Sequence, residues 1–245
     1  MRARSAVLLA ACWLLTTTPA LAQVGTAREG GRPQIWDVPF GAHVTTLPAT
    51  DWVDPACGTN GGPRGQLIEK FENFARCPRD AGTGLYEIWF SYDDEFELIA
   101  RAHHDEAMIN RFRANLLFNV PAVLSLLIDA NGLVQGYRIA SDTRAPPIVR
   151  MQAHNVARTF KSMTRIDEAS CVNAPPAEGE RPFEGVLIKE TCRQVIGGRR
   201  ITIEARAYLK PGQNLIDPVT QQPYPNAFES FSSLEIVNAA ALARP

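Results

Sequence analysis

The densest group of metal-ligating or acid–base side chains in this 245-residue sequence is His103-His104-Asp105-Glu106. A metal-assisted hydrolase needs several such groups converging on one point. Adjacent histidines at a strand end point to opposite sides, so only one can face any given point. Further ligands must then come from Asp93, Asp94, His43 or His154. The simpler reading is a strand-to-helix junction, with Asp105 as N-cap and the acidic pair complementing the helix N-terminus. Asp93-Asp94-Glu95 and Asp129-Ala130-Asn131-Gly132 carry the oxygens calcium prefers, but without the alternate-residue spacing of a calcium loop. Both read as turns. Gly-x-Ser-x-Gly, His-Glu-x-x-His and a phosphate-binding glycine loop do not occur. The sequence therefore singles out no catalytic residue, no metal site and no cofactor.

A second pattern concerns arginine. Ala100-Arg101-Ala102, Tyr137-Arg138-Ile139 and Ala205-Arg206-Ala207 recur in predicted return strands. Side chains alternate between the faces of a strand, so each arginine opposes its apolar neighbours. With helices over the apolar face, Arg101, Arg138 and Arg206 share the open face with Trp89, Ile99 and Tyr208. Guanidinium groups hold carboxylates and phosphates bidentately, and aromatic–arginine mixtures suit interfaces. The predicted binding site is thus Arg101, Arg138, Arg206, Trp89 and Tyr208. Glu87, Glu97 and Glu204 fall on the same face and offer plain cross-strand pairing instead. Arg150, His154, Arg158 and Arg165 form one stripe of a predicted helix and read as a solvated face.

The elements that must position these groups follow from composition and periodicity. At 45% hydrophobic and 21% charged, with 18 Pro and 17 Gly, the chain is globular rather than disordered. A net charge of −1 gives no general attraction to nucleic acid. Arg2 and Arg4, an apolar run from Ser5 to Leu15, and Ala20-Leu21-Ala22 have the layout of a secretory signal peptide cleaved after Ala22. Leu9-Ala10-Ala11-Cys12 matches a bacterial lipobox, but the apolar run continues past Cys12. The expectation is a periplasmic or secreted protein with no transmembrane helix in its mature form. Removing 22 of the 245 residues leaves 223, takes away two arginines and one cysteine, and brings the net charge to −3. Cys57, Cys77, Cys171 and Cys192 remain, an even number that reads as disulfides in an exported chain. Local pairing, Cys57–Cys77 and Cys171–Cys192, closes two loops of about 20 residues, each worth roughly 3 kcal/mol by chain entropy. Zinc is disfavoured by the lack of Cys-x-x-Cys and of any histidine near these cysteines.

Residues 1–22 are expected to be the signal peptide, 23–34 a flexible leader and 35–245 a single α+β domain. A loop-rich segment to Arg64 and a short helix from Leu67 to Phe74 precede three strand–turn–strand units. These are Tyr86–Tyr92 with 96–101, 123–128 with 133–140, and 185–195 with 199–209, followed by a last strand through 233–237. Two amphipathic helices are expected, from Asp105 to Asn119 and from Pro146 to Met163. The predicted architecture is an antiparallel sheet of about six or seven strands built from hairpins, two helices packed on one face, and two disulfides.

Ala122 to Met163, with its Ile128-Asp129-Ala130-Asn131-Gly132-Leu133-Val134 turn followed by a helix, resembles the C-terminal domain of TonB-type energy transducers. That likeness covers about a sixth of the chain and implies binding of a partner protein in the periplasm. Over most of its length the mature chain resembles uncharacterised exported proteins of proteobacteria. The residues that carry this are Pro39-Phe40-Gly41, Ala56-Cys57-Gly58, Tyr92-Asp93-Asp94-Glu95 and Gly136-Tyr137-Arg138-Ile139. It implies a compartment and no chemistry. The function expected is an exported binding module without catalytic activity, for an envelope partner protein or a small anionic ligand. The alternatives are a metal-assisted hydrolase on His103, His104 and Asp105, and an envelope assembly or structural factor.

Overall fold

The computed structural model describes residues 32–106, 115–214, 216–221, 224 and 226–242. The signal peptide, most of the leader and the centre of the helix expected from Asp105 lie outside the described residues. The strands are β1 (Trp52–Cys57), β2 (Tyr86–Tyr92), β3 (Leu116–Leu117), β4 (Val120–Ile128), β5 (Val134–Ser141), β6 (Cys171–Asn173), β7 (Ile188–Ile196), β8 (Arg199–Leu209) and β9 (Phe228–Asn238). They form one antiparallel sheet in the order β1-β2-β4-β5-β9-β8-β7-β6, with β3 paired to β4. The described sheet therefore has nine strands rather than six or seven. The short pieces β1, β3 and β6 had no periodicity long enough to be read.

The inner face is built by period-two alternation. Ile88 and Phe90 on β2, Leu124 and Leu126 on β4, Ile139 on β5, Ile203 on β8, and Leu234 and Ile236 on β9 are all buried in one cluster. Trp52 stacks on Phe90 with ring centroids 4.2 Å apart, and its indole N–H donates to the Pro33 carbonyl. Arg32 is buried over the Tyr92 ring and hydrogen-bonded to the Asp93 carbonyl. Residues 32–34, expected in the flexible leader, are therefore packed against the sheet.

Two expected hairpins are present. Asp129 accepts the amide of Asn131 in the 129–132 turn, and Gly197-Gly198 turns β7 into β8. The third is not. Residues from Glu95 form helix α1 (Glu95–Ala102), with Asp93 accepting the Glu95 amide and Glu97 paired to Arg101 one turn on. The alternation of Phe96, Leu98 and Ala100 misled because strong helix formers fill this stretch. Leu98 is 67% exposed and Ile99 47%, while Glu97 and Ala100 are buried. Leu116 to Asn119, expected as a helix end, is instead β3 and its tight turn, with Phe118 and Asn119 at positive φ. The segment after Leu67 forms a 3-10 helix over Phe71–Arg76, while Leu67 itself bridges to Ala56.

The helix expected from Pro146 is broken into α2 (Pro147–Arg150), a 3-10 turn (Ala153–Asn155) and α3 (Val156–Thr164); α4 (Ala239–Leu242) ends the described chain. Both disulfides, Cys57–Cys77 and Cys171–Cys192, form as expected.

Gly136 lies mid-strand in β5, where a Cβ would sit 2.4 Å from the Ile236 carbonyl oxygen. The obstacle is backbone of the neighbouring strand, which cannot yield without opening the sheet. Gly136→Ala is expected to destabilise the protein by about 1–3 kcal/mol, measured by urea denaturation.

Candidate functional site

The register places Trp89, Arg138, Arg206 and Tyr208 on the outer face of the sheet. Parity thus placed these four residues on one face, but their surroundings differ. Arg138 is buried and surrounded by carboxylates. Its Nη1 lies 2.8 Å from Glu87 on β2, and its Nη2 lies 2.5 Å from Glu235 on β9 and 3.5 Å from Asp80. Arg200 on β8 binds the other oxygen of Glu235 at 2.8 Å. Burial opposes the charge on Arg138. The carboxylates of Glu87 and Glu235, the hydrogen bond to Glu235 and the charge of Asp80 outweigh it, holding the pKa above its ordinary value.

Glu87 also accepts the amides of Asn60 (2.6 Å) and Gly61 (3.1 Å). The 58–62 loop therefore lies over Arg138 and closes this part of the outer face. Gly58 is needed there: a Cβ would fall 2.2 Å from Cγ of Glu87.

Trp89 is buried beside Ala56, Val123, Ala140 and Phe231. Arg206 is four residues along β8 from Thr202, the row of Arg138 and Glu235, so it sits roughly 13 Å away along the strand. It stacks over Phe231 and lies 3.5 Å from Glu204 and 3.8 Å from Glu229. Tyr208 packs under the Lys189 ammonium. Arg101 is on α1, paired to Glu97, and leaves the sheet altogether. The predicted cluster is dispersed accordingly: Arg138 is an interior charge, Arg206 is in a half-open ion pair, Trp89 is in the core, Tyr208 packs with Lys189, and Arg101 lies on a helix rather than on the sheet.

The histidine pair fares similarly. His103 ends α1 and His104 is in the left-handed region at φ 56°. Among the described residues, the one His/Cys/Asp/Glu trio within metal-ligand reach is Cys171, Glu190 and Cys192, whose two sulfurs are already bonded to each other.

A different site forms where the broken helix meets the sheet. Ser230 and Ser232 occupy inner-face positions of β9. The Ser230 hydroxyl donates to the Met151 carbonyl and accepts the His154 amide at 3.1 Å. The Ser232 hydroxyl donates to the Ala153 carbonyl and accepts the Ala157 amide. Sheet hydroxyls thus satisfy backbone groups that the helical break leaves open. His154 Nδ1 lies 3.0 Å from Ser230 Oγ. Burial holds the His154 pKa below its ordinary 6.5; the Met151 carbonyl and Glu184 oppose this, and Arg158 reinforces it.

Beside His154 a cleft of about 250 Å³ opens between α3 and the β6–β8 edge. Its polar lining includes Arg158, Lys161, Glu168, Asn173 and Glu190. Lys161 is held by Glu190 at 2.7 Å and Glu168 at 3.0 Å. Arg158 is exposed and has no ion pair among the described residues. Of the stripe Arg150, His154, Arg158 and Arg165, expected to be solvated, Arg150 and His154 are buried. The overlooked signal was two serines, Ser230 and Ser232, at core parity in an otherwise apolar strand.

The chain is a mixed α/β protein with a large antiparallel sheet and two disulfides. No protein-family model, curated protein or solved structure matches it.

Two outcomes test these assignments. Arg138→Met leaves Glu87, Glu235 and Asp80 without their shared cation and is expected to cost about 3–5 kcal/mol at neutral pH in chemical denaturation. For His154, the unfolded chain takes a proton near pH 6.5 while the fold resists it. Its stabilising contribution is present above that pH and is lost as pH falls below it. His154→Gln should therefore lose less stability than the parent between pH 7.5 and pH 5, read as the difference between the two denaturation series.

Proposed function

We propose that this protein is an exported binding module without catalytic activity, which takes a small anion, or a carboxylate of a partner protein, in the cleft beside α3. The observation that carries the reading is Arg158: a cation lining a concave site, free of any ion pair among the described residues, while its neighbour Lys161 is already neutralised by two carboxylates. Arginine is suited to an oxyanion there by its planar, multiply donating fork.

Export through a signal peptide cleaved after Ala22 is supported by the basic start, the short apolar run and the small-residue cleavage pattern. Two disulfides are compatible with an oxidising compartment. No helix of the described residues is long and apolar enough to cross a membrane.

A binding role is favoured over hydrolysis by the bonding around His154. Base activation requires a serine hydroxyl that a substrate can reach, whereas Ser230 is buried and bonded to the Met151 carbonyl. Among the described residues, His103, His104 and Asp105 are not brought together with a further ligand.

The test is calorimetric titration with acetate, citrate, phosphate and sulfate in a chloride buffer of low ionic strength. At least one anion should bind saturably, and Arg158→Gln should weaken it by about tenfold or more with the melting temperature unchanged. Binding that survives Arg158→Gln, or no binding by any of the four, contradicts the reading.

A further inference from the structure

The cleft beside α3 holds two separated charges of opposite sign. Arg158 and Lys161 are three residues apart on α3, so they are neighbours one turn along, with Cβ atoms about 5–6 Å apart. Arg158 is one positive charge, exposed and with no ion pair among the described residues. Lys161 is one positive charge against two carboxylates, Glu190 at 2.7 Å and Glu168 at 3.0 Å, so that group carries a net single negative charge. The ammonium meets Oε2 of each glutamate, and each carboxylate keeps a second oxygen. The Glu168 side chain is 73% exposed, so a ligand can reach it. Burial lowers the pKa of His154, which adds no charge at pH 7.5. Ile188 of β7 and Ala205 of β8 line the same cleft with apolar surface.

A pure anion gains at Arg158 and is opposed by the net negative group one turn away. A molecule with both a carboxylate and an ammonium gains at each end. Resting on the anion-binding reading above, we infer that the cleft takes a free amino acid with an apolar side chain. Its carboxylate meets Arg158, its ammonium joins Lys161 as the second cation for Glu168 and Glu190, and its side chain lies against Ile188 and Ala205. A cleft of about 250 Å³ is below the range of about 300–1,000 Å³ usual for drug-sized ligands, as suits so small a molecule.

The experiment is calorimetric titration of the purified, extensively dialysed protein at pH 7.5 and low ionic strength with three probes of one shape. These are leucine, 4-methylpentanoate (which lacks the ammonium) and 3-methylbutylamine (which lacks the carboxylate). Leucine should bind saturably and about fivefold or more tightly than either of the others. Arg158→Gln should weaken leucine and 4-methylpentanoate alike. Glu168→Gln should weaken leucine, strengthen 4-methylpentanoate and so close most of the gap between them; both altered side chains are exposed, and circular dichroism checks the fold. The comparison of probes on the unaltered protein decides by itself if a variant does not fold. If 4-methylpentanoate binds as tightly as leucine, the amino-acid assignment is overturned and the anion cleft stands. If 3-methylbutylamine binds as tightly as leucine, the role of Arg158 is overturned, and the anion-binding reading with it. Binding of none of the three overturns the amino-acid assignment, and the titration with the four anions then decides separately on the cleft.

Discussion

Burying the Arg138 guanidinium in the middle of a sheet is the constraint around which the outer face is organised. A buried cation costs several kcal/mol unless its charge and its hydrogen-bonding groups are matched. Here the match draws on Glu87 of β2, Glu235 of β9 and Asp80 of the segment before β2, while Arg200 of β8 balances Glu235 from its other side. Glu87 in turn takes the amides of Asn60 and Gly61. The loop that follows β1 is thereby drawn across the face, and the Cys57–Cys77 bond closes it. One interior charge thus connects four strands and two loops, and the chemistry that could have met a ligand is used internally.

The inner face follows a different logic. Two serines at apolar positions of β9 hold the interrupted helix by its exposed backbone groups. That interruption lets α3 sit over β8 and β9 while the β6–β7 edge remains open. The cleft is a consequence of this offset, and the same hydroxyl that anchors the break lies 3.0 Å from the histidine ring. Fold and candidate site therefore share Ser230, which is both a backbone anchor and the residue that orients His154.

Much of this was legible in the sequence, for identifiable reasons. The alternation of Ile201, Ile203, Ala205 and Ala207 marks a long strand with one buried face, and β8 is that strand. The cysteine spacing made local pairing the natural choice, and both bonds form so. Parity also placed Arg138, Arg206, Trp89 and Tyr208 on the correct face. Parity is silent, however, on distance along the strands and on which loops cover a face, so it could not separate an interior ion network from an open site. Phe96 to Ala100 fits both periods over so few residues, and the Glu97–Arg101 pairing that favours helix competes with the alternation that favours strand. The cleft was missed because the stripe Arg150, His154, Arg158 and Arg165 assumes one continuous helix, whereas the backbone breaks within it.

The central claim is one of location: the anion site lies at the broken helix, and the arginines of the outer face serve the fold. The most direct measurement is a two-dimensional amide NMR titration of the protein with phosphate. The account predicts that shifts concentrate at His154, Arg158 and Lys161, with the facing residues Asn173 and Glu190. Shifts centred instead on Asn60, Glu87, Arg138 and Arg206, with the residues around Arg158 unmoved, would contradict it.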